Sequence, residues 1–131
     1  ADVPGDEPVA VMSFDSWLRE RTAPWARDEA CFLAVTDRDD VVGFADIEQW
    51  ELPGDVAWHG YTAVRAAWRG RGLAGALKLQ TIAWARAAGV RELRTENEAS
   101  NAAMRHINAR LGYVPIAVRA DWRGPVAAFL P

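Results

Sequence analysis

The spacing of apolar and polar positions along this chain predicts most of its elements. Ser13 stands before Phe14, Trp17 and Leu18, which share one helical face. That spacing predicts a short helix from Phe14 to about Thr22, capped by Ser13 and stopped by Pro24. Cys31 to Thr36 is apolar and β-prone, Asp37-Arg38-Asp39-Asp40 reads as a turn, and Val41 to Trp50 reads as a second strand. Pro53-Gly54-Asp55 turns the chain into a third, Val56 to Val64. Three strands joined so tightly pair antiparallel. A long helix is predicted from Gly72 to Ala88, apolar over much of its surface through Leu73, Leu77, Ile82 and Trp84, with Gly89 ending it. Val90 to Glu96 is strand-like, and because a helix leads to it, it should lie parallel to the strand before. Ser100 or Asn101 caps a further helix to about Leu111, which Gly112 ends. Tyr113 to Ala120, a turn at Trp122-Arg123-Gly124, and Pro125 to Leu130 make a closing hairpin. The expected fold is α/β: a mixed, mostly antiparallel sheet with one parallel pair in its middle and helices beside it.

Composition narrows the class. The 131 residues fit one domain, 1–131, half hydrophobic and a quarter charged, as in a globular protein. No apolar run approaches the ~20 residues of a membrane span, and no signal peptide is visible. The single cysteine, Cys31, excludes an internal disulfide and suits a reducing, cytoplasmic setting. A net charge of −3 argues against a nucleic-acid partner. Lys78 is the one lysine among fifteen basic residues, a bias that reads first as genome composition.

The candidate chemistry gathers where the third strand gives way to the long helix, at Val64-Arg65-Ala66-Ala67-Trp68-Arg69-Gly70-Arg71-Gly72-Leu73-Ala74-Gly75. Gly70 and Gly72 bring main chain without Cβ to the turn. A helix opening there offers unpaired N–H groups and a partial positive charge, which together bind phosphate or pyrophosphate. Arg65, Arg69 and Arg71 add charge beside it. Gly70 to Gly75 also matches the dinucleotide pattern G-x-G-x-x-G, but five residues separate the strand from the first glycine and hairpins precede it, against a repeating βαβ unit. A phosphate loop of the Walker type fails, since Ala76-Leu77 stands where Lys-Ser/Thr is required.

A third reading accounts for more of the chain. Arg69-x-x-Gly72-x-Ala74, after a strand ending at Val64, resembles the acetyl-CoA signature of the GNAT family of N-acetyltransferases. Asn101, Met104, Asn108 and Leu111-Gly112-Tyr113 resemble its second motif. The run from Thr95-Glu96-Asn97 to Tyr113 is similar to actinobacterial members, among them tandem-domain proteins related to mycothiol synthase. The two motifs cover about Val56 to Pro115. The resemblance implies a splayed parallel pair at the centre of the sheet, with CoA between the Val64 and Glu96 strands. Pantetheine would pair with backbone at Thr62, Ala63 and Val64. The pyrophosphate would take N–H groups from Arg69, Gly70, Arg71, Gly72, Leu73 and Ala74, and Asn101 and Met104 would complete the site. It also implies a strand and helix ahead of Phe14 that too few residues remain to supply. The chain is therefore expected to be a truncated domain or the C-terminal part of a longer one, with a second such domain or a homodimer covering the Cys31 strand.

Acetyl transfer needs a neutral amine, a stabilised oxyanion and a proton for the departing thiolate. By resemblance Glu96 is the base. Its bland reading is a strand-end carboxylate. His59 is out of phase for that role unless a bulge re-aims it, and His106 reads as surface. Many relatives carry an acid where this chain has Asn108, whose amide can orient a thioester but donates no proton at neutral pH. Tyr113 reads as core packing, and Cys31 as a buried packing residue rather than a nucleophile. Asp46, Glu48, Glu51 and Asp55 are either an attractor for a cationic acceptor or a wet sheet face, and Trp50, Trp58 and Trp68 either line a pocket or pack. The preferred expectation is acetyl transfer from acetyl-CoA to a small-molecule or peptide primary amine by direct attack, with no metal. The rival is a non-catalytic acyl-CoA-binding or regulatory domain.

Overall fold

The computed structural model describes residues 12–48 and 55–120. Helix α1 is Phe14–Arg21, and the Ser13 side chain accepts from Ser16 N–H at its start. Strands β1 (Phe32–Val35), β2 (Val41–Glu48) and β3 (Val56–Val64) follow, then α2 (Leu73–Ala87), β4 (Glu92–Arg94) and α3 (Ala102–Arg110). One four-stranded sheet runs β1-β2-β3-β4, its first two pairings antiparallel and the third parallel. This is the mixed sheet the hydrophobic pattern predicts, including the parallel crossover through α2.

Helix α2 covers one face, and the core lies between it and the sheet. Ile47 and Ala57 meet Ala30 and Ala85 there, with Trp84, Val90 and Leu93 packed around them. Gly43 is needed beneath it, since a Cβ would come within 3.2 Å of Leu77. Both longer helices end in the same device. Gly89 (φ 79°) turns the chain so that Val90 N–H reaches the Ala85 carbonyl, and Gly112 (φ 88°) lets Tyr113 N–H reach that of Asn108.

Four expectations need correction or lie out of reach. Strand β4 is shorter than Val90–Glu96 at both ends, because the Val90 amide closes α2 and pairing with β3 stops at Arg94. The apolar face of α1 is not buried: Phe14 is 70% exposed and, among the described residues, stacks on Trp17. Tyr113–Ala120 forms no strand, because no paired neighbour exists for it among the described residues; its turn and partner, together with Trp50, Glu51 and Pro53-Gly54, lie outside them. The end of the β2 prediction falls there as well.

Candidate active site

Strand β3 is nine residues long, but β4 pairs only with its first three, the last contact being Trp58 opposite Arg94. Beyond that point the strands part. Among the described residues no strand pairs with the outer edge of β3 from Gly60 to Val64, which leaves a gap in the hydrogen bonding of the sheet there. Arg65 N–H donates to the Val42 carbonyl of β2, so alternation turns the backbone groups of Val64 and Thr62 into the gap and those of Ala63 toward β2. The Val64 carbonyl already accepts from Arg69 Nε at 3.0 Å. Of the three backbone positions implied for pantetheine, Thr62 is therefore the one whose N–H and C=O both remain for a ligand.

A bulge re-aims the strand at the head of this gap. Ile47 pairs with His59 but Ala45 with Thr62, so two residues of β3, Gly60 and Tyr61, stand against Asp46 alone. The spare N–H of Tyr61 donates to Asp46 Oδ1 at 2.6 Å, and Asp46 Oδ2 accepts from Arg21 of α1 at 2.7 Å. Gly60 has no room for a side chain here, since a Cβ would lie 2.6 Å from Asp46 Oδ1. Burial pushes the Asp46 carboxyl up from its usual value, and the Tyr61 N–H and Arg21 pull it down less strongly. The bulge puts His59 on the same face as Thr62 and Val64, the face covered by α2.

At the far end of the gap, Gly70 (φ 73°) and Gly72 (φ 80°) bend the chain into α2, with Gly72 as N-cap. Among the described residues nothing accepts from the backbone N–H groups of Gly70, Arg71, Gly72, Leu73, Ala74 or Gly75; the first amide of the helix to find a partner is Ala76, bonded to the Gly72 carbonyl. The Arg69 amide, by contrast, is bonded to Ala66. Arg71 lies on the Trp68 ring, 4.7 Å from its centroid, and donates to the Ala67 carbonyl.

The second motif divides. Asn101 Oδ1 accepts from Met104 N–H as the cap of α3, so its first task is structural. Asn108 is buried; its Nδ2 donates to Asn97 Oδ1 at 3.0 Å, while its Oδ1 is buried with no partner among the described residues. Glu96 is exposed, two residues past the end of β4.

Beneath the gap lies a polar cluster that the sequence reading did not assemble. His59, Lys78, Thr81 and Asn108 are buried, and Tyr113 is half-buried above them. Thr81 Oγ1 donates to the Lys78 carbonyl at 2.8 Å, which leaves its lone pair for His59 Nδ1–H at 3.4 Å. His59 Nε2 then accepts from the Tyr113 hydroxyl at 2.6 Å. Burial, aided by the Lys78 charge, takes His59 down to about 3, and burial alone raises Tyr113 and lowers Lys78 to about 8. Two signals were present in the sequence. Lys78 falls on the buried stripe of α2 with Leu77, Thr81 and Ala85, and the glycine stop at Gly112 throws Tyr113 back toward the sheet. Cys31 is half-buried, and burial above all pushes its thiol up, against a nucleophilic role.

A mixed sheet whose third strand runs into a helix with unpartnered first amides is an α/β arrangement suited to a phosphorylated ligand. The chain belongs to the acetyltransferase (GNAT) family, whose model matches residues 5–113. It is an acetyltransferase domain by that membership. Among solved structures it is similar to a Pyrococcus furiosus protein assigned as an acetyl transferase (23% identity, TM-score 0.62, over 71% of this chain and 64% of the other). It is also similar to the aminoglycoside N-acetyltransferase AAC(6')-Iy in complex with CoA (23%, TM-score 0.60, over 72% and 75%). A third is the 6'-N-acetyltransferase AAC(6')-IG from Acinetobacter haemolyticus (17%, TM-score 0.62, over 87% and 83%). The chain thus spans just under two thirds of the Pyrococcus furiosus protein. No curated protein matches it by sequence. No helix among the described residues is long and apolar enough to cross a membrane.

Proposed function

We propose that the protein transfers acetyl from acetyl-CoA to a primary amine by direct attack of the amine on the thioester. The observation that carries this reading is the run of unpartnered amides from Gly70 to Gly75, at one end of a gap whose other end is the bulge at Gly60-Tyr61. Amides fixed at a helix N-terminus bind a diphosphate without further reorganisation, and a pantetheine arm laid along the edge of β3 reaches the bulge. Thr62 would serve the arm, Arg71 would add charge at the diphosphate, and the Nδ2 of Asn101 and the Met104 side chain would flank it.

The acceptor would approach from the sheet face opposite α2. That face carries Glu48, close to Gly60, and Trp58, on which Arg94 lies, while Asp46 on the same face is buried and already paired with Arg21. Continuing the alternation of Arg94 and Thr95 carries Glu96 to the same side, where it would take the amine's proton directly or through water. A cationic, small-molecule or peptide amine suits this surface. The buried Asn108 Oδ1 is an acceptor awaiting a donor, and a bound pantetheine or acceptor N–H would supply one. The reading includes a cytoplasmic setting, and kinship with the tandem-domain mycothiol-synthase-like proteins rests on the Thr95 to Tyr113 run.

Calorimetry with acetyl-CoA, beside thiol release over a panel of primary amines, tests the reading. Binding with turnover on at least one amine is expected. Binding without turnover favours the acyl-CoA-binding alternative, and no binding removes both.

A further inference from the structure

The only lysine of the chain is also one of its most deeply buried side chains. Lys78 is 1% exposed, while every other basic residue is arginine. The distinction is chemical: arginine does not give up its proton in a protein, and lysine does. No carboxylate pairs with Lys78 among the described residues, and its lowered proton affinity comes from burial with no opposing charge. An unpaired buried ammonium costs several kcal/mol, and an apolar residue of the same length would fill the space without that cost. A position that keeps the charge under those terms points to chemistry.

Its surroundings say where that chemistry falls. Lys78 Nζ donates to Thr95 Oγ1 at 3.5 Å and lies 5.4 Å from the centroid of the Tyr113 ring. Thr95 follows the last paired residue of β4, and His59, bonded to Thr81 one turn along α2, adjoins the last paired residue of β3. The ammonium therefore sits beneath the point where the two strands part. The titratable groups facing it are His59 from β3 and Tyr113 from behind α3; Thr81 and Thr95 are the neutral ones. His59 is uncharged at physiological pH and the Tyr113 hydroxyl, raised by burial, is engaged with His59, so Lys78 is the group of the cluster that gives up its proton most readily.

We propose that Lys78 donates the proton to the thiol sulphur as it leaves from a thioester bound in the gap, a task for which Asn108 has no proton. The inference rests on the acetyl-transfer reading above. The amine nitrogen bonds to the acetyl carbon, the carbon–sulphur bond breaks, and sulphur takes the Lys78 proton to leave as free thiol. The proton shed by the new amide nitrogen goes to base and water, and Lys78 recovers one from water after release. A lysine near 8 is well matched to a thiol near ~8.5.

Because the lysine is unique, its ammonium can be followed by itself in the intact protein by NMR of lysine labelled at Cε, and compared with the pH dependence of kcat. The rate should fall with rising pH along the same curve on which Lys78 titrates. Lys78→Met should lower kcat by about a hundredfold, remove that limb, and leave the acetyl-CoA Kd within about threefold. Lys78→Arg, which keeps the charge but not the exchangeable proton, should fail to restore kcat. A Lys78→Met enzyme with wild-type kcat, an active Lys78→Arg enzyme, or a wild-type rate profile with no limb where Lys78 titrates would each overturn the proposal. If the wild type binds acetyl-CoA but acetylates no amine, the underlying reading fails instead.

Discussion

Gly72 holds φ at 80°, and nothing lies within 4 Å of where a Cβ would stand. The cost of a side chain there is thus conformational, about 1–2 kcal/mol for a left-handed residue, and relieving it rotates the neighbouring amides. If backbone does the gripping, Gly72→Val should lose measurable CoA binding by calorimetry. Arg71→Ala should weaken it by only about threefold to tenfold, in keeping with an exposed charge contact. Equal losses would show that the arginines, not the amides, hold the diphosphate. His59 supports a different prediction. The native imidazole stays neutral down to about 3, whereas the unfolded one takes a proton below 6.5. Its contribution to stability is therefore lost as pH falls from 6.5 toward 3, at about 1.4 kcal/mol per pH unit. Urea titrations of wild type and His59→Gln should converge in slope below pH 6.5 if another group is responsible, and diverge if His59 is. The glycines were legible in the sequence because a turn's demand for φ > 0 is local. His59 was not, because its phase depends on a bulge formed with another strand.

At the scale of elements, the Gly60-Tyr61 bulge is pinned by one carboxylate. Asp46 satisfies the spare Tyr61 amide and neutralises Arg21, with both partner side chains nearly buried (10% and 6% exposed). Asp46→Ala leaves the Tyr61 amide unpaired and takes away the buried partner of the Arg21 guanidinium, leaving it only the exposed Asp28, and should cost about 3 kcal/mol in urea denaturation. A loss under 1 kcal/mol would mean that the bulge does not depend on it. Because α1 buries no residue of its own and Arg21 ties it to Asp28 and Asp46, its amides should also exchange faster in that variant. Helix α2, its Gly72 and Gly89 ends and the Asn101 cap of α3 followed from the chain pattern to within a residue, since each is set by neighbours a turn away. The length of β4 did not, because it is set by where pairing with β3, far off in sequence, begins at Glu92 and stops at Arg94.

For the whole molecule, among the described residues the sheet ends at β1, whose Leu33 and Val35 are about half exposed, Leu33 beside an apolar hollow of about 260 Å³ formed with Leu73, Ala76 and Leu77. Val114, Ile116 and Val118 are more exposed still, the last at 95%. Unpaired edge and apolar surface together favour association. Light scattering should show self-association that rises with concentration and falls in Leu33→Lys; a monodisperse monomer at all concentrations would discard the idea. The sequence alone determined the order of elements, the glycine-bounded helix mouth and the family, because local spacing and turn chemistry write those directly. Where β3 and β4 part, which face His59 takes, and the meeting of Lys78 with Thr95 and Tyr113 were decided only in three dimensions. Each depends on register between strands remote in the chain, and a shift of one residue there moves a side chain to the opposite side of the sheet.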